Sequence, residues 1–251
     1  MTAPGRPAPA TDHAAPATDR PAPRVLAVAH RGDPYRHREN TLPSIESALA
    51  AGADAVEVDV RLTRDRVPVL LHDDTLERLW RDPRPLRSLT LEQLDGVGVP
   101  GLRVPTLADA LKAAAETPSA RLLIDLDDPH PAAATWAAVT DLGAEQRVGF
   151  CGPATAMLAV RALAPAAEIA LTWTQPRLPA PALLADLRPR YLNPPFGLAE
   201  PEFVAAAHEA GLAVSTWTAD LRRTMRRLRR AGVDSITTNR IAVLRSLLDG
   251  H

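Results

Sequence analysis

The chain has 251 residues, 46% hydrophobic, 24% charged and 4% aromatic, with a formal net charge of −1. That length is ample for a sizeable buried core, while the near-neutral balance argues against a protein that holds nucleic acid, or stays on an anionic membrane, through bulk charge. A single cysteine, Cys151, excludes an internal disulfide framework and a cysteine-cluster zinc site.

Residues 1–24 are rich in Ala, Pro and Thr and read as a disordered tail, with His13 a solvated part of it. The tail lacks the apolar stretch of a secretory signal, and no later run approaches the roughly 20 apolar residues of a membrane span, so a cytoplasmic location is expected. From Val25 to the C-terminus the chain reads as one domain. Short β-branched or apolar runs start at Val25, Ala55, Arg121, Arg147, Glu168, Arg190, Leu212 and Ser235. Each is followed by a segment of helical period, at Leu42–Ala51, Thr106–Glu116, Ala132–Asp141, Ala154–Leu163, Pro179–Leu187, Pro201–Ala210, Leu221–Ala231 and Ile241–Leu248. One extra extended piece, Val67–Leu71, follows the second run. Eight strand–helix pairs suit a (β/α)8 TIM barrel better than an open doubly wound sheet, although periodicity alone does not report closure. Ala231-Gly232-Val233-Asp234 echoes Ala51-Gly52-Ala53-Asp54, as a recurring helix-to-strand turn would.

In such a barrel, functional side chains project from the C-terminal strand ends. The first strand closes on His30-Arg31-Gly32, the second carries Glu57-Val58-Asp59, the extra piece ends on His72-Asp73, and the third carries Asp125-Leu126-Asp127. Two-residue spacing puts Glu57 and Asp59 on one face; Asp125 at the next strand's end joins them as a candidate metal ligand, and Asp127 shares its face by the same spacing. Carboxylates gathered inside a barrel need neutralising, and oxygen ligands suit Mg²⁺ or Ca²⁺. His30 and His72 are the natural acid–base pair, Arg31 has the fork geometry for phosphate oxygens, and buried Cys151 reads as a small hydrophobe.

His30-Arg31-Gly32, Glu39-Asn40-Thr41, Gly52-Ala53-Asp54 leading into Glu57-Val58-Asp59-Val60, and Pro68-Val69-Leu70-Leu71-His72-Asp73 together resemble the glycerophosphodiester phosphodiesterase family. Weaker echoes at Val104-Pro105-Thr106-Leu107, Leu122–Asp127, Ser215-Thr216-Trp217-Thr218 and Gly232–Asn239 extend the resemblance to nearly everything after the tail. It implies a metal-dependent TIM barrel that hydrolyses small glycerophosphodiesters to glycerol 3-phosphate and an alcohol. By position, His30 and His72 match the catalytic histidines, Arg31 a phosphate contact, and Glu57 and Asp59 two metal ligands. Glu39 and Asn40 fall where support of the site is expected. Trp173 and Trp217 would wall the mouth or pack in the core.

The sequence departs from the family at the third strand, where Glu-x-Lys is usual and Asp125 and Asp127 stand instead. Asp127 reads as a further metal ligand, an acceptor for a substrate hydroxyl, or a sign of a weakened phosphate site; the first is preferred. Asn239 stands where an acid is common. Thr75–Arg103 is short, so the inserted cap of some relatives is reduced. The competing expectations are a lysophospholipase D-like hydrolase on the same barrel, and a catalytically retired barrel that binds metal or a phosphoester.

Overall fold

A computed structural model describes residues 24–98 and 101–250. The expected tail lies outside the described residues except for Arg24, which pairs with Asp54 at 2.7 Å. In chain order the elements begin β1 (Leu26–His30), α1 (Leu42–Ala50) and β2 (Ala55–Leu62). An excursion follows with β3 (Pro68–Leu70), β4 (Thr75–Leu76), α2 (Glu77–Trp80), β5 (Asp82–Pro85) and α3 (Leu91–Asp95). The chain then alternates through α4 (Leu107–Ala115), β6 (Leu122–Asp125), α5 (Ala132–Asp141), β7 (Val148–Gly152), α6 (Ala154–Leu163) and β8 (Glu168–Thr172). It ends with α7 (Pro181–Leu187), β9 (Tyr191–Asn193), α8 (Pro201–Glu209), β10 (Ala213–Thr216), α9 (Arg222–Ala231), β11 (Ser235–Thr238) and α10 (Ile241–Leu248).

The parallel strands run β1-β2-β6-β7-β8-β9-β10-β11 and β11 pairs back onto β1, so the sheet is closed. This is the barrel expected from the strand–helix count. β3 adds antiparallel to the far end of β2 through Val60↔Leu70, as the extra extended piece.

Period-two alternation decides which residues face the helices. Val56 and Val58 of β2, Ala27 and Ala29 of β1 and Ile124 of β6 are fully buried in the shell between sheet and helices. The opposite face of the same strands is therefore left for polar groups. At the N-terminal barrel end the two echoed turns do the same job. Gly52 and Gly232 take φ of +85° and +86°, which favours glycine, and the aspartate that follows each caps a neighbouring strand. Asp54 accepts from the Ala27 amide at 2.8 Å, and Asp234 from the Val214 amide at 2.7 Å.

The excursion between β2 and α4 is small but has its own core. Leu71, Leu76, Trp80, Leu86, Leu89, Leu94 and Val97 pack together with Val69 and Val104. That packing fixes the segment carrying His72 against the barrel's C-terminal end.

Candidate active site

Strand register gathers the site. His30 lies level with Glu57 across β1 and β2, and Asp59 lies level with Asp125 across β2 and β6. Glu57, Asp59 and Asp125 each offer an oxygen, and these oxygens all lie within 4.8 Å of one another. His30, Arg31, His72 and Trp217 share with them a cavity of 170 Å³ at the C-terminal mouth.

Such a cluster is costly without a counter-charge. Burial pushes the Glu57 carboxyl well above the usual carboxylate range, helped by Asp59 and then Asp125. Asp125 is pushed up to about 7 by burial, and further by Asp59 and Asp127. Glu57 Oε1 is buried with no hydrogen-bond partner. An orphaned carboxylate oxygen beside two more acids is the donor set that a hard divalent cation completes.

The loop after β1 is built to hold the cluster. Arg31 adopts a left-handed φ of +59°, and its backbone N–H donates to Glu57 Oε2 at 3.0 Å. Its guanidinium stands 3.0 Å from Asp59 Oδ2 and donates to Glu39 Oε1 at 2.9 Å. Asn40, buried and also left-handed at φ +54°, clamps Asp59 twice. Its Nδ2 donates to Asp59 Oδ2 at 2.6 Å, and its Oδ1 accepts from the Asp59 amide at 3.2 Å. Glu39 and Asn40 thus hold Arg31 and Asp59 in place.

Gly32 is the tight point of that loop. At φ +92°, a Cβ there would sit 2.2 Å from Ser44 Oγ and 2.6 Å from the Ser44 carbonyl carbon. Ser44 Oγ itself bridges the Asp33 amide and the Arg31 carbonyl. Gly32→Ala should therefore cost at least ~2 kcal/mol in a urea titration, because it combines a forbidden dihedral with a backbone clash. A loss under ~0.5 kcal/mol would show that the loop is not packed this way.

The two histidines have different partners. His30 Nδ1 lies 2.8 Å from Asn239 Oδ1. The Asn239 amide is fixed by donating Nδ2–H to Asp220 Oδ2 at 2.8 Å, and Asp220 also accepts from the Asn239 amide N–H and the Thr238 hydroxyl. The side-chain oxygen of Asn239 therefore faces His30, which donates from Nδ1 and leaves Nε2 unprotonated, 4.0 Å from Glu57 Oε2. Burial, then Arg31, lowers the His30 pKa. His72 instead meets a carboxylate, Asp73 Oδ1, at 2.8 Å. Asp73 is held down to about 2, first by Arg78 and also by His72. Arg78 in turn bridges Asp73 and Glu39 at 2.6 and 2.7 Å, tying the His72 segment to the loop after β1.

The family model for glycerophosphoryl diester phosphodiesterases matches residues 30–243. The chain belongs to the glycerophosphodiester phosphodiesterase family. A relative from Caldanaerobacter subterraneus subsp. tengcongensis, named glycerophosphodiester phosphodiesterase, is 28% identical over 86% of this chain and 94% of its own. The structure of a Silicibacter pomeroyi protein named as a glycerophosphoryl diester phosphodiesterase superposes with a TM-score of 0.83 at 27% identity, over 90% of this chain and 94% of that one. An Oleispira antarctica phosphodiesterase, solved with the product sn-glycerol 3-phosphate, shares the fold at a TM-score of 0.82 and 22% identity, over 90% and 97% of the two chains. As a member of this family of divalent-cation-dependent hydrolases, the chain is an enzyme acting on glycerophosphodiesters.

The site differs from the sequence expectation at Asp127. Asp127 does not join the three clustered acids; it is mostly exposed and accepts from Arg61 Nη2 at 2.9 Å. β6 ends at Asp125, so the alternation that would put Asp127 on the same face no longer applies. Asn239, which stands where an acid is common, is the direct partner of His30, with an acid one step behind it at Asp220. Trp217 lines the cavity, whereas Trp173 does not: it packs against the core and donates to the Arg177 carbonyl at 2.7 Å. Cys151 is buried in the cavity floor, and burial pushes its thiol well up, so it stays protonated. Arg61, Arg78 and Asp220 are additions that the sequence did not single out. Among the described residues, no helix is long and apolar enough to cross a membrane.

Proposed function

We propose that Glu57, Asp59 and Asp125 hold one Mg²⁺ or Ca²⁺, and that His30 is the base and His72 the acid in cleaving a glycerophosphodiester to glycerol 3-phosphate and an alcohol. The observation that carries this reading is the contrast between the two imidazoles around one acidic cluster. His30 is neutral, with its Nε2 lone pair free on the cluster side. His72 is instead held at Nδ1 by the Asp73 carboxylate, which orients its ring and leaves Nε2 to exchange a proton.

His30 Nε2 takes the proton of the substrate's own glycerol 2-hydroxyl as that oxygen attacks phosphorus. The bond to the alcohol oxygen breaks, and His72 supplies that oxygen with a proton. A cyclic phosphate results, which water opens with the two histidines exchanging roles. A divalent cation bound by the three acids supplies charge neutralisation for the phosphate and lowers the pKa of a hydroxyl beside it. Arg31 donates to phosphate oxygens, and its present contacts with Glu39 and Asp59 keep its fork oriented. Trp217 gives the glycerol a flat apolar wall, its indole N–H held by the Asn193 carbonyl at 3.0 Å. Asn193 Oδ1, buried on the same wall with no partner, is an acceptor suited to a glycerol hydroxyl.

The test is release of sn-glycerol 3-phosphate from glycerophosphocholine and glycerophosphoethanolamine, with and without divalent cation. The reading expects product only with the cation. Absence of product from either substrate under saturating Mg²⁺ and Ca²⁺ would reject it.

A further inference from the structure

Beside the active-site cavity lies a larger groove of 530 Å³ that the mechanism above does not use. Asp127 lines both, so the two spaces meet at that residue. The groove runs along the His72 side: Arg61 on its wall donates from Nε to the His72 carbonyl at 2.6 Å, and Asp74 on the same wall is two residues from His72. The groove is thus the space adjoining the His72 segment.

The groove is rich in cations. Arg61 spends its charge on Asp74 and Asp127, both at 2.9 Å. Arg64, Arg66 and Arg87 also line the groove; among the described residues none of them forms an ion pair, and Arg64 Nη1 donates to the Ser88 carbonyl at 3.4 Å. Against the four arginines of the lining stand Asp74, Asp127 and Asp128, the last already accepting through Oδ1 from the His130 amide at 2.7 Å. Arg66 sits in a left-handed turn at φ +65°, closed by its N–H to the Thr63 carbonyl at 2.9 Å. Val60, Leu62, Leu86 and Pro131 give the groove a buried apolar floor, and Thr63 and His130 complete its lining. Guanidinium forks free of ion pairs over such a floor suit a doubly charged anion with several acceptor oxygens.

Building on the function proposed above, we propose that this groove binds a phosphate monoester carried by the departing alcohol, so that the preferred substrates are glycerophosphodiesters whose alcohol is itself phosphorylated. The exchange of the family's lysine for Asp127 fits the same picture. Asp127 draws Arg61 to the junction, and cationic recognition moves outward from the reacting phosphorus toward a second one.

A matched pair of substrates tests this: glycerophospho-1,3-propanediol, and the same diester with its free hydroxyl phosphorylated. The native enzyme should show a kcat/KM at least about tenfold higher for the phosphorylated diester, carried mainly by KM. In Arg66→Asn/Arg87→Gln that ratio should fall at least about fivefold; both residues are exposed, and Asn tolerates the left-handed turn. A native ratio near one, or a ratio that survives the double substitution, overturns the proposal. Calorimetric titration of His30→Ala with both diesters gives the same comparison without turnover, and equal affinities there also overturn it. Failure of the underlying reaction is a separate outcome, because then neither diester releases glycerol 3-phosphate while the titration still decides the groove.

Discussion

His30→Ala and His72→Ala each lower turnover of glycerophosphocholine by about 10²–10⁴, but only one of them is rescued by a better leaving group. The reason lies in their partners. Asn239, braced by Asp220, presents an oxygen to His30 Nδ1, so that imidazole can only accept at Nε2. Asp73 presents a carboxylate to His72 Nδ1, which orients the ring with Nε2 as its proton-exchanging atom. A glycerol phosphodiester of 4-nitrophenol expels an anion that needs no proton. With it, His72→Ala should work within about tenfold of the native enzyme, while His30→Ala stays at least about a hundredfold down. Rescue of His30→Ala instead would reverse the two roles. Asp220→Ala should act through the same line, because a freed Asn239 can turn its NH₂ toward His30 and oppose Nδ1 donation. Its signature is a shifted acidic limb of the kcat/KM–pH profile, restored by Asp220→Glu.

Removing the cation, or Glu57, has the second large effect. A cation at a hundredfold its Kd adds about 2.7 kcal/mol to stability, and at ~2–4 °C per kcal/mol the melting temperature should rise by roughly 5–10 °C. Glu57→Gln should weaken cation binding by roughly 10–100-fold and cut turnover accordingly. Asp127→Asn should change cation affinity by less than about threefold, since its carboxylate serves Arg61. The pH dependence follows from the sign of the Asp125 shift. An unfolded aspartate titrates near ~3.9, and the folded one near about 7. A raised folded pKa contributes stability that is fully present below the unfolded value and lost as pH climbs through the folded one. Cation-free protein should thus lose this contribution between pH 4 and beyond about 7, and the cation-induced rise in melting temperature should be larger at pH 8 than at pH 5.5. A rise that shrinks with pH would mean that the ion is held elsewhere.

The barrel was legible because its strands alternate cleanly. Val56 and Val58 had to face helices, which left Glu57 and Asp59 to the lumen. The same rule misled at Asp127, because it holds only while the strand lasts and β6 stops at Asp125. The partners that set the state of each histidine were the least legible part. Asp220 meets Asn239 across 19 positions, and Arg78 meets Glu39 across 39, through side chains that no periodicity reports. Arginine is abundant in this chain, so neither Arg61 nor Arg78 stood out by type. Asn239 was visible as a departure from the family. Its consequence was not, because only the fold shows that the missing acid is replaced from the loop after β10.

The measurement closest to the central claim is anomalous scattering from crystals grown with Mn²⁺. The account predicts one strong peak ligated by oxygens of Glu57, Asp59 and Asp125, with the imidazoles of His30 and His72 opening onto the same cavity. A peak bound through Asp127 in place of these three, or none at this cluster under saturating Mn²⁺, would contradict it.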